Sequence, residues 1–317
     1  MIGSAIAWRL NRLGHDRILI ADRLDHSEKW RNLVPLRFLD YIDADDLLAA
    51  VRQDSPSLAG IATIFHLGAC SATTEKDSAY LMRNNFEFTK ALSHWAIAHG
   101  ARFIYASSAA TYGAREDGFR EDLPLGSLRP LNMYGYSKHL FDQYAERAGI
   151  LDSIVGLKYF NVFGPNEDHK GDMRSVVHKA FHQIRQTGKL ELFRSHRPDF
   201  ADGCQQRDFL YVKDAAAMTI HLAGRDTVHG LYNLGSGLAH TWLDLGQAIF
   251  AALDRPPNIE FIPMPENLRG KYQYRTCAAI DKLRAAGYGE AITPLADSVS
   301  DYVRNYLVPD HRLGDEK

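Results

Sequence analysis

Arg102-Phe-Ile-Tyr-Ala-Ser-Ser-Ala-Ala-Thr-Tyr-Gly113, followed by Tyr134-Gly-Tyr-Ser-Lys138 and a helix-length segment to Arg147, is the stretch from which the fold can be read. Arg102–Ala106 is a continuous apolar run rather than an alternating one, and it ends in two hydroxyls, Ser107 and Ser108. Such a run suits a strand covered on both faces, as in a parallel sheet. Tyr136–Arg147, closed by Gly149, has the length and stop signal of a helix. Working outward, Ile61–Leu67 and Ile154–Phe160 repeat the buried-strand pattern, and Arg17–Ala21 is a shorter apolar run ending at Asp22. Asn84–His99 closed by Gly100, and Ala5–Leu13 closed by Gly14, repeat the helical pattern. Repeated β-α units of this kind predict an α/β protein with a doubly wound parallel sheet.

The texture changes after about Pro165, where segments shorten and Gly, Pro and His become frequent. One more β-α unit, Asp208–Val212 followed by Asp214–Leu222, is expected to return to the main sheet. The expected organisation is a first domain over 1–165, rejoined by about 207–236, a smaller lobe from 166–206 and 237–308, and a polar, frayed tail over 309–317. The chain passes from Met1-Ile2-Gly3-Ser4 directly into a helix, without the strand and Gly-rich turn that normally open such a sheet. A sheet missing that first strand would leave two central edges unpaired, at a cost on the order of 1–3 kcal/mol per buried group. The chain as written is therefore expected to be unstable or poor in bound dinucleotide, with a natural start roughly ten residues upstream.

The 317 residues include 37 Lys+Arg and 39 Asp+Glu, a formal net charge of −2 without a long block of one sign, which excludes a nucleic-acid field. The 45% apolar content excludes global disorder. No apolar run approaches ~18 residues, so no membrane span is expected. The first residues lack a basic segment and a small-residue cleavage site, so the reading is cytoplasmic. Cys70, Cys204 and Cys277, none in a C-x-x-C pair, make no disulfide framework. His178 and His182 have the i, i+4 spacing of a metal pair, but Lys179 stands where a hydrolytic zinc helix has Glu, so no metal is expected.

Tyr134 and Lys138, four residues apart, share one helix face. An ammonium beside a phenol favours phenolate and is expected to lower the tyrosine from about 10 towards neutrality. Ser108, at a strand's carboxyl end, stands where open α/β sheets place ligands and suits a hydrogen bond to a substrate oxygen whose proton Tyr134 handles. Asp22 follows Gly3 by 19 residues, close to the ~20-residue spacing of a ribose-binding acid, with Gly3 as the close-packing glycine before the helix.

Ser108, Tyr134 and Lys138 in this order, with His66-Leu-Gly-Ala69, Arg207-Asp-Phe-Leu-Tyr-Val-Lys-Asp214 and Tyr232-Asn-Leu-Gly-Ser-Gly237, resemble the extended short-chain dehydrogenase/reductases that act on nucleotide sugars, with a Rossmann-like fold. Gly68-Ala-Cys-Ser-Ala-Thr-Thr-Glu75, Asn84-Asn85, Tyr159-Phe-Asn-Val-Phe-Gly-Pro165, His169-Lys-Gly171, Arg269-Gly-Lys-Tyr-Gln273 and Leu283-Arg-Ala-Ala-Gly-Tyr288 narrow the resemblance to the ADP-L-glycero-D-manno-heptose 6-epimerase family. That resemblance implies interconversion of ADP-D-glycero-D-manno-heptose and its L-glycero epimer by transient oxidation and reduction on bound NADP, with NAD as the alternative, for lipopolysaccharide core. It implies a homo-oligomer, pentameric in the family, whose partner is the ADP-heptose substrate. It implies Tyr134 and Lys170 as the two acid/base groups, Lys138 on the ribose and Ser108 on the substrate. Cofactor positions fall on Ile2, Gly3, Asp22, Arg23, Lys29, Leu67, Gly68, Ala69, Cys70, Ser71, Asn85, Lys138, Val162 and Lys170. Substrate positions fall on Ser108, Asn161, Asp172, Lys179, Phe193, Arg207 and Tyr272.

The chain departs from the family at several points. Leu67 stands where an acid is usual, Ala44 where a cofactor lysine is usual, and Lys179 where a histidine is usual, while Arg194–Gln206 is longer and more charged. Two other readings compete. One is another nucleotide-sugar epimerase or dehydratase, although a dehydratase has acids where Ala109 and Ala110 stand here; the other is a non-catalytic scaffold without the cofactor turn.

Overall fold

In a computed structural model, which describes residues 1–269 and 272–315, the N-terminal half alternates helix and strand. It runs through α1 (Ile2–Arg12), β1 (Leu19–Asp22), β2 (Asp40–Asp43), α2 (Ala44–Arg52), β3 (Thr63–His66) and α3 (Ser78–Leu81). A π-helical turn, Met82–Glu87, continues into α4 (Phe88–Ala98), then β4 (Arg102–Ser108), α5 (Met133–Arg147) and β5 (Val155–Tyr159). The second half holds β6 (Asn161–Phe163), α6 (Val176–Thr187), β7 (Leu190–Phe193), β8 (Gln206–Arg207), β9 (Phe209–Tyr211), α7 (Val212–Ala223) and β10 (Gly230–Leu234). It ends with β11 (His240–Thr241), α8 (Trp242–Ala252), β12 (Ile259–Ile262), α9 (Glu266–Arg269), α10 (Asp281–Ala285) and α11 (Leu295–Tyr302).

The main sheet is four parallel strands in the order β10-β5-β4-β3. Its continuous apolar runs have the cause expected of them: every residue of β5 is buried, and Phe103 and Ile104 of β4 are 0% exposed. Truncating Ile104 to Ala in such a site costs about 2–5 kcal/mol. Helix α4 buries Phe88, Leu92, Trp95 and Ala96, one stripe at helical spacing. α1 buries Ala5, Ile6, Ala7 and Trp8 and packs on α7. Gly14, just past its end, takes the left-handed φ of +87° that favours glycine. β1 and β2 form a separate parallel ladder, Leu19 opposite Asp40.

Two expectations are corrected. The 208–212 unit does not rejoin the main sheet, because β9 pairs with β6, Phe209 opposite Asn161, in a ladder of its own. Phe160 donates its N–H to the carbonyl of Leu234, the last residue of β10, and the chain leaves the sheet there; the place beside β5 belongs to β10, Gly230 opposite Val155. Nor is the tail frayed over Pro309–Asp315: Leu313 is 0% exposed, its N–H bonds Asn166 Oδ1 at 3.1 Å, and buried Arg312 pairs with Asp310 at 2.9 Å. An apolar side chain and a neutralised cation within that polar stretch anchor it. Glu316 and Lys317 lie outside the described residues.

Beside the main sheet, β7 pairs in parallel with β12 and β8 antiparallel with β11. α6 and α8 pack on each other, and α11 packs on α8. Among the described residues no helix is long and apolar enough to cross a membrane.

Candidate active site

Ser108 closes β4 and caps the 3₁₀ turn Ala109–Tyr112, its Oγ accepting the Ala110 N–H at 3.1 Å. The first turn of α5 rests on that turn. A Cβ at Gly135 would lie 2.9 Å from the Ala110 carbonyl oxygen, so glycine at this position is what lets the helix close in. Asn132 caps the helix, accepting the Gly135 N–H at 2.8 Å. The result sets the Tyr134 phenol against Ser108, its side-chain hydrogen-bond partner. Lys138, one turn on, is 3% exposed, and burial pulls its ammonium down to about 8 while Asp142 and Cys70 oppose that pull.

The tyrosine departs from its expected ionisation. Burial holds the Tyr134 phenol above its ordinary value, Ser108's hydrogen bond offsets this only in part, and Cys70 adds to the rise. Helical spacing puts Lys138 on the same face, but its ammonium is not among the groups acting on the phenol, and desolvation of the phenolate prevails.

The segment 67–71 is fastened to the same helix through Asn85, which is fully buried in the π-helical turn. Asn85 accepts the Cys70 N–H at 2.9 Å and donates to the Cys70 carbonyl at 2.9 Å and to Ser137 Oγ at 3.0 Å. The widened turn directs Asn84 inward as well, where its Oδ1 accepts from Arg23 at 2.6 Å. Gly68 faces open space, Leu67 packs into the core, and Ala69 and Ser71 flank Cys70 on this fastened loop.

A second group surrounds the start of α1. Ile2 packs there on the core, and Asp22, Lys29, Glu167 and Lys170 lie within electrostatic reach of it. Gly3 approaches Leu67, yet a Cβ at Gly3 would make only an ordinary 4.0 Å contact, so close packing does not demand glycine there. Asp22 Oδ1 accepts from the Arg23 N–H at 2.8 Å and from Lys29 Nζ at 3.0 Å. The Arg23 guanidinium is held by Asp45 at 2.5 and 3.2 Å rather than standing open. Lys170 Nζ lies 3.8 Å from Met1 Sδ, and burial lowers its ammonium against the opposing charge of Glu167. Val162, half-buried in β6, packs against the same core.

The third group is Arg207, buried between the rings of Trp242 (5.6 Å) and Tyr272 (5.0 Å), with Trp242 Nε1 donating to Tyr272 Oη at 2.8 Å. Burial lowers its guanidinium, which donates to the Gln206 carbonyl at 2.8 Å and forms no ion pair among the described residues. Asn161 adjoins it, donating its N–H to the Asp208 carbonyl at 3.1 Å. Asp208 staples two motifs together, accepting the N–H groups of Ser236 (2.6 Å), Gly237 (3.0 Å) and Ala278 (2.9 Å). The long 194–206 segment reaches back to the Ser108 side through Arg197, which pairs with Glu116 and lies 4.8 Å over Tyr274.

Other expected positions stand apart. Lys179 Nζ donates to the Asp172 carbonyl at 2.6 Å on an exposed surface, and Phe193 ends β7 with its carbonyl accepting from Gln205 at 3.4 Å. Gly270 and Lys271 of the Arg269–Gln273 motif lie outside the described residues. Sequence reading missed Trp242, Asn84's grip on Arg23, Asp45, Asp142 and Lys158. Only Asp142 had a local signal, since it continues the Tyr134–Lys138 helix face by one more turn.

The arrangement supplies a phenol set against Ser108, a buried ammonium one turn along the same helix and, on β8, a buried guanidinium that forms no ion pair among the described residues. The sequence profile of the NAD dependent epimerase/dehydratase family matches residues 1–235. The chain is 52% identical over 308 residues to the ADP-L-glycero-D-manno-heptose-6-epimerase of Nitratidesulfovibrio vulgaris, covering 96% of this chain and 95% of that protein. It is 43% identical to the protein of the same name from Fusobacterium nucleatum, covering 97% and 95%. The crystal structure of Helicobacter pylori ADP-L-glycero-D-manno-heptose-6-epimerase superposes with a TM-score of 0.81 at 24% identity, over 96% of this chain and 92% of that one. The UDP-glucose 4-epimerase of Thermotoga maritima shares the fold, with a TM-score of 0.79 at 21% identity over 98% and 97%. The chain thus belongs to the NAD dependent epimerase/dehydratase family, beside relatives named ADP-L-glycero-D-manno-heptose-6-epimerase.

Proposed function

We infer that the protein is an isomerase interconverting ADP-D-glycero-D-manno-heptose and ADP-L-glycero-D-manno-heptose, feeding lipopolysaccharide core. The observation that carries the reading is the Tyr134–Ser108 contact with the buried Lys138 one turn away. The residues fit a nicotinamide dinucleotide. The oxygens of Asp142, the acid nearest Lys138 on the helix, are taken by Tyr105, Ser107 and Lys158, which leaves the Lys138 ammonium for ribose hydroxyls. Gly68 opens the neighbouring loop, and Asp22 ends its strand where a second ribose would be held. When bound, the nicotinamide supplies the two-electron acceptor and donor that inversion of an unactivated carbinol carbon requires.

The chain's own residues do the rest. Ser108 holds the carbinol oxygen, and Tyr134 gives a proton from Oη to that oxygen in one half-reaction, taking it back as the phenolate when the reaction runs the other way. A phenol that burial keeps protonated is the donor form, and the Lys138 ammonium stabilises the phenolate when the proton leaves. Lys170, whose ammonium burial has lowered, serves as the second base for the opposite presentation of that oxygen. Arg207, held between two rings, clamps the diphosphate, and desolvation makes its hydrogen bonds count for more than in water. The cofactor form is read as NADP. Lys29 ties up Asp22, the acid that alone favours a free ribose diol, and Arg23 is the second cation at that corner. We read the protein, as its sequence resemblance implies, as a cytoplasmic homo-oligomer.

Purified protein given ADP-D-glycero-D-manno-heptose without added oxidant or reductant should yield the L-glycero epimer, with UDP-glucose unchanged. Turnover of UDP-glucose and none of the ADP-heptose would overturn the substrate reading.

A further inference from the structure

β5 is buried along its whole length, yet its fourth residue is Lys158, 1% exposed. Lys158 Nζ pairs with Asp142 Oδ2 at 2.8 Å, donates to Thr111 Oγ1 at 2.7 Å and lies 5.1 Å over the Tyr112 ring. Asp142, fully buried, stands on α5 one turn beyond Lys138 and two beyond Tyr134. It also accepts from Tyr105 Oη at 2.9 Å and Ser107 Oγ at 2.7 Å. Thr111 carries the network to Ser108, donating to its carbonyl at 2.8 Å. Room for the Tyr105 arm is made in β5, where a Cβ at Gly156 would fall 2.5 Å from the Tyr105 ring. A well-packed apolar pair is commonly as stable as a buried ion pair, so stability alone does not account for this one.

We propose that Asp142 and Lys158 are positioning residues: Asp142 ties the Ser107–Ser108 strand end to α5 and holds the charge on Lys138, and Lys158 limits how much of that field Lys138 feels. This rests on the reading of Tyr134 and Lys138 as the acid–base corner. The groups that face Lys138 are Asp142 on its own helix, Cys70 on the 67–71 loop and His66 on β3. The pair itself is faced by Tyr105 and Ser107 of β4, Thr111 and Tyr112 of the 3₁₀ turn, and His139 with Arg129 beyond it. Asp142 favours the Lys138 ammonium, so removing its charge lowers the ionisation midpoint of Lys138. Removing the charge of Lys158 while Asp142 stays raises it. General loosening would hydrate Lys138 and raise the midpoint in both variants.

The test is a lysine-detected NMR titration of the full chain, with the Lys138 signal assigned through Lys138→Met. Asp142→Asn should move the midpoint down and Lys158→Met should move it up, each by about half a pH unit or more. Asp142→Glu should return it towards the wild-type value. In turnover, Asp142→Asn should lower kcat at least about tenfold with KM within about twofold, the split expected of a group acting on the chemical step. If Asp142→Asn does not fold, Lys158→Met, which keeps Asp142 bonded to Tyr105 and Ser107, decides together with amide hydrogen exchange along α5: a raised midpoint with wild-type protection supports the proposal, and a raised midpoint with lost protection is loosening and overturns it. An unmoved or lowered midpoint there overturns the proposal, as do two shifts of the same sign. Wild-type turnover of ADP-D-glycero-D-manno-heptose is scored separately; its absence removes the functional reading, while the midpoints judge this proposal.

Discussion

Ser108, Tyr134 and Lys138 come from one strand–turn–helix unit, whereas Arg207, Trp242 and Tyr272 come from three well-separated stretches. The first group is braced on every side: Gly135 seats the helix on the Ser108 turn, Asn85 fastens the 67–71 loop to Ser137, and Asp142 joins β4, β5 and α5. The second group is held by ring faces and one carbonyl, and its cation forms no ion pair among the described residues. Proton transfer needs atoms fixed to a few tenths of an ångström, which satisfied polar bracing provides. A clamp for an anionic ligand needs unspent charge, and a buried guanidinium between aromatics keeps it while the rings recover part of the burial cost.

The largest effect should come from the braced side. Tyr134→Phe removes only the ionisable oxygen, so kcat should fall about 10²–10⁴-fold with melting temperature and bound dinucleotide nearly unchanged. Wild-type turnover in that variant would take Tyr134 out of the chemistry. On the clamp side the loss should appear as binding. Arg207→Ala should cost about tenfold to a hundredfold in kcat/KM, mostly through KM, and Arg207→Lys should not restore it, since a point charge lacks the planar fork and the stacking. A loss confined to kcat would move Arg207 from clamp to chemistry.

A smaller effect is set by pH. Lys138 ionises at about 8, below its ordinary value, so its charge is present below that pH and lost as pH rises through it. Wild-type kcat should therefore decline above pH 8, and a rate flat to pH 10 would contradict the role given to the ammonium. The smallest concerns the cofactor corner. Asp45→Ala should free Arg23 and tighten retention of NADP relative to NAD by about threefold to tenfold, measured by dinucleotide release. An unchanged ratio would remove Arg23 from cofactor choice.

How much could be read in advance follows the same division. Strands β4 and β5 were legible because burial on both faces leaves unbroken apolar runs, half-buried β3 from its apolar run alone, and the Tyr134–Lys138 face because helical spacing is local. Arg207 was found only through resemblance, for nothing near it in sequence announces Trp242, which meets it through the β8–β11 pairing. The tail was misread because composition shows polarity, while burial of Leu313 depends on Asn166, far away in sequence. The tyrosine's ionisation was misjudged because spacing shows the favourable charge and hides the desolvation that opposes it.

The central claim is that the epimerisation is an internal redox exchange governed by the Ser108–Tyr134–Lys138 corner. It is tested most directly by running the reaction in deuterium oxide and reading the product by NMR. The account predicts ADP-L-glycero-D-manno-heptose with no deuterium at the inverted carbon, because the hydrogen that leaves that carbon returns to it without exchanging with solvent. Deuterium incorporated at that carbon would show deprotonation and reprotonation by solvent-exchanging groups, and would contradict the account.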